Sequence, residues 1–146
     1  MKVLLLHGLH SRPGGAKANA IEGAGHELIN PALPADSWEE SLRIAQEAVD
    51  EHSPDAIVGS SRGGALAVNV DSNGAHRVLI APAWSRFGSV TTVPSSTVIL
   101  HSPDDDIVLF EDSEELAKRS KAQLIAVGND HRMNDPETLR LMLEYL

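Results

Sequence analysis

Ser61 stands in Gly59-Ser60-Ser61-Arg62-Gly63-Gly64, directly after the apolar run Ala56-Ile57-Val58. Gly-x-Ser-x-Gly lets a buried strand turn sharply into a helix and lifts the central hydroxyl clear of both elements. A serine hydroxyl so placed is a candidate nucleophile, but a poor one unaided. It needs a base to take its proton and a third group to hold that base in one tautomer. The same six residues would also make an ordinary Gly/Ser turn, so partners elsewhere in the chain must decide.

The chain has seven histidines, at positions 7, 10, 26, 52, 76, 101 and 131. Where such an elbow carries a nucleophile, the chain order is serine, acid, histidine. His131 alone follows the last apolar run with an acid still between it and Ser61. It closes the loop Val127-Gly128-Asn129-Asp130-His131. The acid candidates are Asp104, Asp105 and Asp106, directly after the run Thr97–His101. Three adjacent carboxylates repel one another and only one can face an imidazole, which leaves the other two as an exposed acidic turn. Asp130, next to His131, reads as loop structure. Negative charge developing on a substrate carbonyl needs two backbone N–H donors. One is expected from Arg62, the residue after the nucleophile. The other is expected from Leu9, in the loop after the first apolar run. Gly8 spares the site a side chain that would crowd the substrate. His7 reads as structural, bonding loop backbone, and His10 is a candidate for lining the site.

Two other chemistries for the N-terminal loop fail. Pro13 stands where a phosphate loop of the form Gly-x-x-x-x-Gly-Lys needs freedom that only glycine supplies. His7, His10 and the aspartate run have no metal-ligand spacing, so neither metal nor cofactor is expected. A formal charge of −9 repels nucleic acid and anionic membrane surfaces. Without cysteine there is no disulfide and no thiolate chemistry. The apolar run at the N-terminus is too short for a signal peptide and lacks a cleavage site. No stretch reaches the roughly 18 apolar residues of a membrane span. A soluble, cytoplasmic protein acting on a small molecule is the expectation.

The elements that must position these residues alternate. Apolar runs at Val3–Leu6, Ala56–Gly59, Val78–Ala81, Thr97–His101 and Leu124–Val127 read as buried strands, with a weaker one at Glu27–Asn30. Between them lie helical stretches. Ala16–Ile21 is short. Ser37 opens the next with a capping box to Glu40, followed by Trp38, Leu42, Ala45 and Val49 on one face. Arg62–Val70 begins with small residues that allow close packing. Phe110–Arg119 carries acids early and bases late, matching the helix dipole. Asp135-Pro136 caps the last, with Leu139, Met142, Leu143 and Leu146 as its apolar stripe. Alternating strands and helices over 146 residues predict a single domain, a three-layer α/β/α sandwich around a mostly parallel sheet of about six strands. In such sheets, sites form at the carboxyl ends of the strands, where Ser61, the aspartates and His131 all fall. Residues 82–96 carry no helical pattern. They either cross irregularly between two strands or contain a short helix around Trp84 to Phe87.

With these parts in order, the chain resembles the α/β-hydrolase superfamily over most of its length. Leu6-His7-Gly8, Pro31-Ala32-Leu33-Pro34 and Val58–Gly64 resemble small bacterial esterases of the YqiA kind. Asp105-Asp106-Ile107-Val108 and Asp130-His131-Arg132-Met133 are similar to hydrolases of acyl esters and thioesters, including mitochondrial depalmitoylating enzymes. His101-Ser102-Pro103-Asp104-Asp105-Asp106-Ile107-Val108 is similar to the family pattern His-Gly-x-x-Asp-x-x-Val, with Ser102 in place of glycine. That register implies Asp105 as the acid, with Asp106 in reserve, and the family's triad carries over as Ser61, Asp105 and His131. The resemblance implies a carboxylesterase-type mechanism through an acyl-enzyme. A thioesterase or depalmitoylase on the same residues is the alternative, and a binding protein with an idle triad a further one. The chain departs from the family in having no room for a cap, since only residues 82–96 lie where one would be inserted. A shallow pocket lined by Leu9, His10, Trp84, Ile107 and Met133 is therefore expected, suited to short acyl groups.

Overall fold

The computed structural model describes residues 1–146. Its elements follow in the order β1 (Lys2–Leu6), α1 (Gly15–Gly23), β2 (Glu27–Ile29), α2 (Trp38–His52), β3 (Ala56–Ser60), α3 (Arg62–Asn69), β4 (His76–Ile80), β5 (Val98–His101), α4 (Phe110–Ser120), β6 (Gln123–Ala126) and α5 (Pro136–Glu144). Every strand and helix expected from the sequence is present, with ends that shift by at most two residues.

The six strands form one sheet in the order β2-β1-β3-β4-β5-β6, and every pairing is parallel. Successive side chains of a strand point to opposite faces, so each buried strand feeds two cores. Leu4, Leu6, Ile57, Leu79 and Ile99 pack on one face with Ala45 and Val49 of α2, Leu66 of α3 and Leu116 of α4. Val3, Leu5, Val58, Val78, Ile80, Val98 and Leu100 pack on the other with Ala18 and Ile21 of α1 and Met142 of α5. Each such side chain taken fully out of water contributes about 1.5–3 kcal/mol. The result is the three-layer α/β/α sandwich that the alternation predicts.

Strand order reverses direction between β1 and β3. The chain leaves β1 toward β2 on one side and returns to β3 on the other, so the loops after β1 and β3 diverge and leave a crevice. Residues 7–14 and Ser61 border that crevice.

The capping of α2 and the place of Trp84 differ from expectation, and the crossover at residues 82–96 takes the irregular of its two expected courses. Ser37 Oγ accepts the Glu40 N–H at 3.1 Å, capping α2. Glu40 does not return the bond, because its carboxylate is drawn to Arg43 one turn on. Residues 82–96 contain no helix, only turns at Trp84–Arg86, closed by Arg86 N–H to the Ala83 carbonyl at 3.1 Å, and at Ser95–Ser96, closed by Thr97 N–H to the Pro94 carbonyl at 3.0 Å. Side chains hold this crossover in a helix's place. Asn69 Oδ1 accepts the Ser89 and Val90 N–H groups, and Ser120 Oγ accepts that of Val93. Trp84, expected in the pocket, lies in the core instead. It is 8% exposed, and its indole Nε1 donates to the Asp112 carbonyl at 2.8 Å.

Candidate active site

The end of β3 sets the site. Ser61 has φ 57° and ψ −118°, a conformation that costs a non-glycine residue about 1–3 kcal/mol. Its neighbours enforce it. Ser61 N–H donates to the Ile80 carbonyl at 3.0 Å, and its own carbonyl accepts from Gly64, Ala65 and Ala83. The flanking glycines allow α3 to press against the sheet. A Cβ on Gly63 would fall 2.0 Å from the Leu6 carbonyl oxygen, and one on Gly59 would fall 2.4 Å from that of Gly63.

His131 reaches Ser61 from the loop after β6. Its Nε2 lies 2.9 Å from Ser61 Oγ and its Nδ1 2.7 Å from Asp105 Oδ2. A carboxylate only accepts, so Nδ1 carries the proton and Nε2 presents its lone pair to the serine hydroxyl. The loop is fixed from several sides. Ser102 Oγ donates to the Gly128 carbonyl at 3.1 Å, and Val127 N–H donates to that of His101. Ser102 thus ties β5 to the histidine loop. Asp130 turns into its own loop and accepts the Met133 N–H at 3.0 Å. Met133, expected in the pocket, is fully buried under the loop, where a Cβ on Gly128 would come 2.8 Å from its sulfur.

Of the three aspartates, Asp104 and Asp106 are exposed and Asp105 is buried. Asp105 Oδ1 accepts the Ile107 and Val108 N–H groups at 2.8 and 2.9 Å. Oδ2 accepts from His131 and from His101 Nε2, the latter at 3.0 Å. Burial pushes its pKa up, but the His131 bond and the two N–H groups outweigh that and hold it below the ordinary value. It stays ionised. His101 is a partner that the sequence did not single out. It is wholly buried, with Nε2 facing two acceptors, Asp105 Oδ2 and the Val108 carbonyl, and Nδ1 2.6 Å from Ser113 Oγ. Nε2 therefore carries a proton and helps fix the carboxylate. Its place in the pattern His-Gly-x-x-Asp-x-x-Val was the available signal, though the pattern does not say which way the side chain points.

Two N–H groups flank Ser61 without a partner. Arg62 N–H opens α3, beyond reach of any intrahelical carbonyl. Leu9 N–H bonds no group of the chain. Its loop lies against Ser61, since a Cβ on Gly8 would contact Ser61 Cβ at 3.5 Å. His7 braces that loop. Its Nδ1–H donates to the Gly8 carbonyl at 2.8 Å, and its Nε2 accepts the Leu33 N–H at 3.0 Å. The Arg62 side chain points away from the serine. Buried between Trp38 and Phe87, it donates to Ser41 Oγ and the Pro34 carbonyl at 3.2 Å each. Burial pushes its pKa down.

A groove of about 680 Å³ opens over Ser61, and Leu9, His10, Phe87 and Ile107 are among the residues lining it. Lys17 of α1 also lines it and holds the histidine loop, donating to the Arg132 carbonyl at 2.7 Å and Asn134 Oδ1 at 2.8 Å. Burial pushes Lys17 down to about 8, with Asp130 and Asp135 pulling the other way. No three His, Asp or Glu side chains converge in a way that could hold a metal ion. No helix is long and apolar enough to cross a membrane.

No protein-family model matches the sequence, and no curated protein matches it. Solved structures do match. A Xanthomonas campestris pv. campestris protein assigned to the alpha/beta hydrolase superfamily is 22% identical, with 99% of each chain covered and a TM-score of 0.70. Est1E from Butyrivibrio proteoclasticus is 14% identical over 99% of this chain and 87% of its own, at a TM-score of 0.74. The ydeN gene product of B. subtilis is 16% identical over 99% and 97%, at 0.75. At these identities the likeness is one of architecture, and it establishes the α/β-hydrolase fold.

Proposed function

We propose that this α/β-hydrolase-fold chain is a serine hydrolase that cleaves short-chain carboxylic esters of small molecules. The observation that carries the reading is the unbroken relay from Ser61 Oγ through His131 to Asp105, at 2.9 and 2.7 Å, beside two unengaged N–H donors. Ser61 attacks the ester carbonyl as His131 Nε2 takes its proton. The new imidazolium is stabilised by ionised Asp105. The Leu9 and Arg62 N–H groups hold the oxyanion, each supplying about 3 kcal/mol in sites of this kind. His131 returns the proton to the departing alcohol, leaving Ser61 acylated. It then takes a proton from water as the water oxygen attacks the acyl carbonyl, and passes that proton to Ser61 Oγ as the acid leaves.

Ser61→Ala is expected to lower kcat for 4-nitrophenyl acetate by about 10⁴-fold or more. A fluorophosphonate probe should label the native protein at Ser61 and leave that variant unmodified. Absence of labelling would favour a binding protein with an idle triad. Matched oxygen esters and thioesters of one acyl group test the leaving atom, and the oxygen ester is expected to turn over faster.

A further inference from the structure

The chain carries 21 acidic residues against 12 lysines and arginines, yet no Asp or Glu lines the groove over Ser61. The charged side chains there are Lys17, Arg86 and Arg132, together with Arg62. Arg62 is accounted for, because its guanidinium is buried away from the groove, on Ser41 and the Pro34 carbonyl. The other three are not. Elsewhere Lys2, Arg43, Arg119 and Arg140 each pair with a glutamate, but none of the groove cations has a carboxylate within 4 Å. Arg132 is exposed, and its side chain makes no hydrogen bond. Arg86 is exposed and donates only to the Ile107 carbonyl. Lys17 spends two donors on the Arg132 carbonyl and Asn134, which leaves the third N–H of its ammonium free.

Lys17 also feels the more distant carboxylates of Asp130 and Asp135, whereas Arg86 and Arg132 have no ion-pair partner, and cations left so in a cleft concentrate field lines there and attract charge of opposite sign. Lys17 and Arg132 meet where α1 touches the histidine loop, and Arg86 is anchored on the Ile107 carbonyl. The oxyanion already has its donors in the backbone of Leu9 and Arg62, so the cations are free to serve another group. Building on the ester-hydrolase reading above, we infer that the groove takes esters bearing a second, anionic group, a carboxylate or phosphate a few bonds from the scissile carbonyl. Arg86 and Arg132 are the residues that select it. Such remote binding energy orients the reacting carbonyl against Ser61.

The test uses ester pairs that differ in charge alone. Mono(4-nitrophenyl) adipate against its methyl ester places the anion on the acyl side. The alcohol side is probed by 3-acetoxybenzoate, its methyl ester and 3-acetoxyphenyl phosphate, which also separates carboxylate from phosphate. In at least one set the charged ester is expected to show about tenfold higher kcat/KM. Arg86→Gln or Arg132→Gln should bring that ratio toward one. Charged esters no better than neutral ones in every set would overturn the inference. So would variants that slow charged and neutral esters equally, since the cations would then be serving the oxyanion. Calorimetric binding of the same esters to Ser61→Ala reads the preference without turnover. Tighter binding of the charged member supports the inference and equal binding overturns it. Failure of the native protein to hydrolyse any ester or take the fluorophosphonate label counts against the hydrolase reading alone.

Discussion

At the scale of single residues, burial separates three aspartates that the sequence leaves nearly equivalent. Residues 104 to 106 are identical in type, and only Asp105 turns inward to meet four donors. A turn of acids looks alike in sequence whichever carboxylate faces the core, and only the resemblance to a family pattern selected Asp105. His101 shows the limit of that route. Its contact with Asp105 depends on the last residue of β5 facing α4, where Ser113 waits, and no spacing in the sequence says which way that side chain points. The arrangement makes a sharp expectation. Asp105→Asn leaves an amide that cannot hold the His131 tautomer and should lower kcat by about 10⁴-fold. Asp106→Asn, on an exposed carboxylate outside the relay, should stay within about threefold of the native rate. Steady-state kinetics on both variants checks this, and the reverse ranking would move the acid to Asp106.

At the scale of elements, strands and helices were legible because each carries its own periodicity and caps. The crossover at residues 82–96 was not, because it is held by partners far away in sequence. Trp84 reads as a pocket aromatic in the absence of a helical pattern. In the fold it seats against α4 through Asp112, and the groove loses its expected wall. Lys17 was equally hidden, since α1 meets the histidine loop only once β2 to α5 are in place. That contact has a pH consequence. The folded-state pKa of Lys17 lies near 8, below its ordinary value of 10.5. Below pH 8 the fold holds a charge that burial disfavours. Its favourable contribution is complete above about pH 10.5 and is lost as pH falls through about 8. The stability of the native protein relative to Lys17→Met should therefore rise between pH 7 and pH 10. Urea denaturation midpoints of the two proteins at both pH values measure it, and a difference that stays flat or shrinks would contradict the assignment.

At the scale of the whole molecule, the absence of a cap was readable by counting, because 15 residues between two strands cannot cover a site. What counting could not give was the shape left behind. The groove of about 680 Å³ is bordered by loops. Ile107 is about half exposed, Trp84 and Met133 are withdrawn into the cores, and Leu9 and Phe87 are among the remaining apolar lining residues. A methylene moved from water to an apolar wall gains about 0.8 kcal/mol, roughly fourfold in kcat/KM if the gain is realised in the transition state. A capped hydrolase can collect that gain repeatedly along a tunnel. On the ester-hydrolase reading proposed above, an acyl chain beyond the first few carbons is expected to pass the edge of this groove into water, so each further methylene should gain little. For 4-nitrophenyl esters, kcat/KM is expected to rise from acetate to about butyrate and then level or fall by octanoate. A continued climb through octanoate and decanoate would reveal a long buried acyl channel, which an uncapped groove bordered by Ile107 and Arg86 has no wall to form.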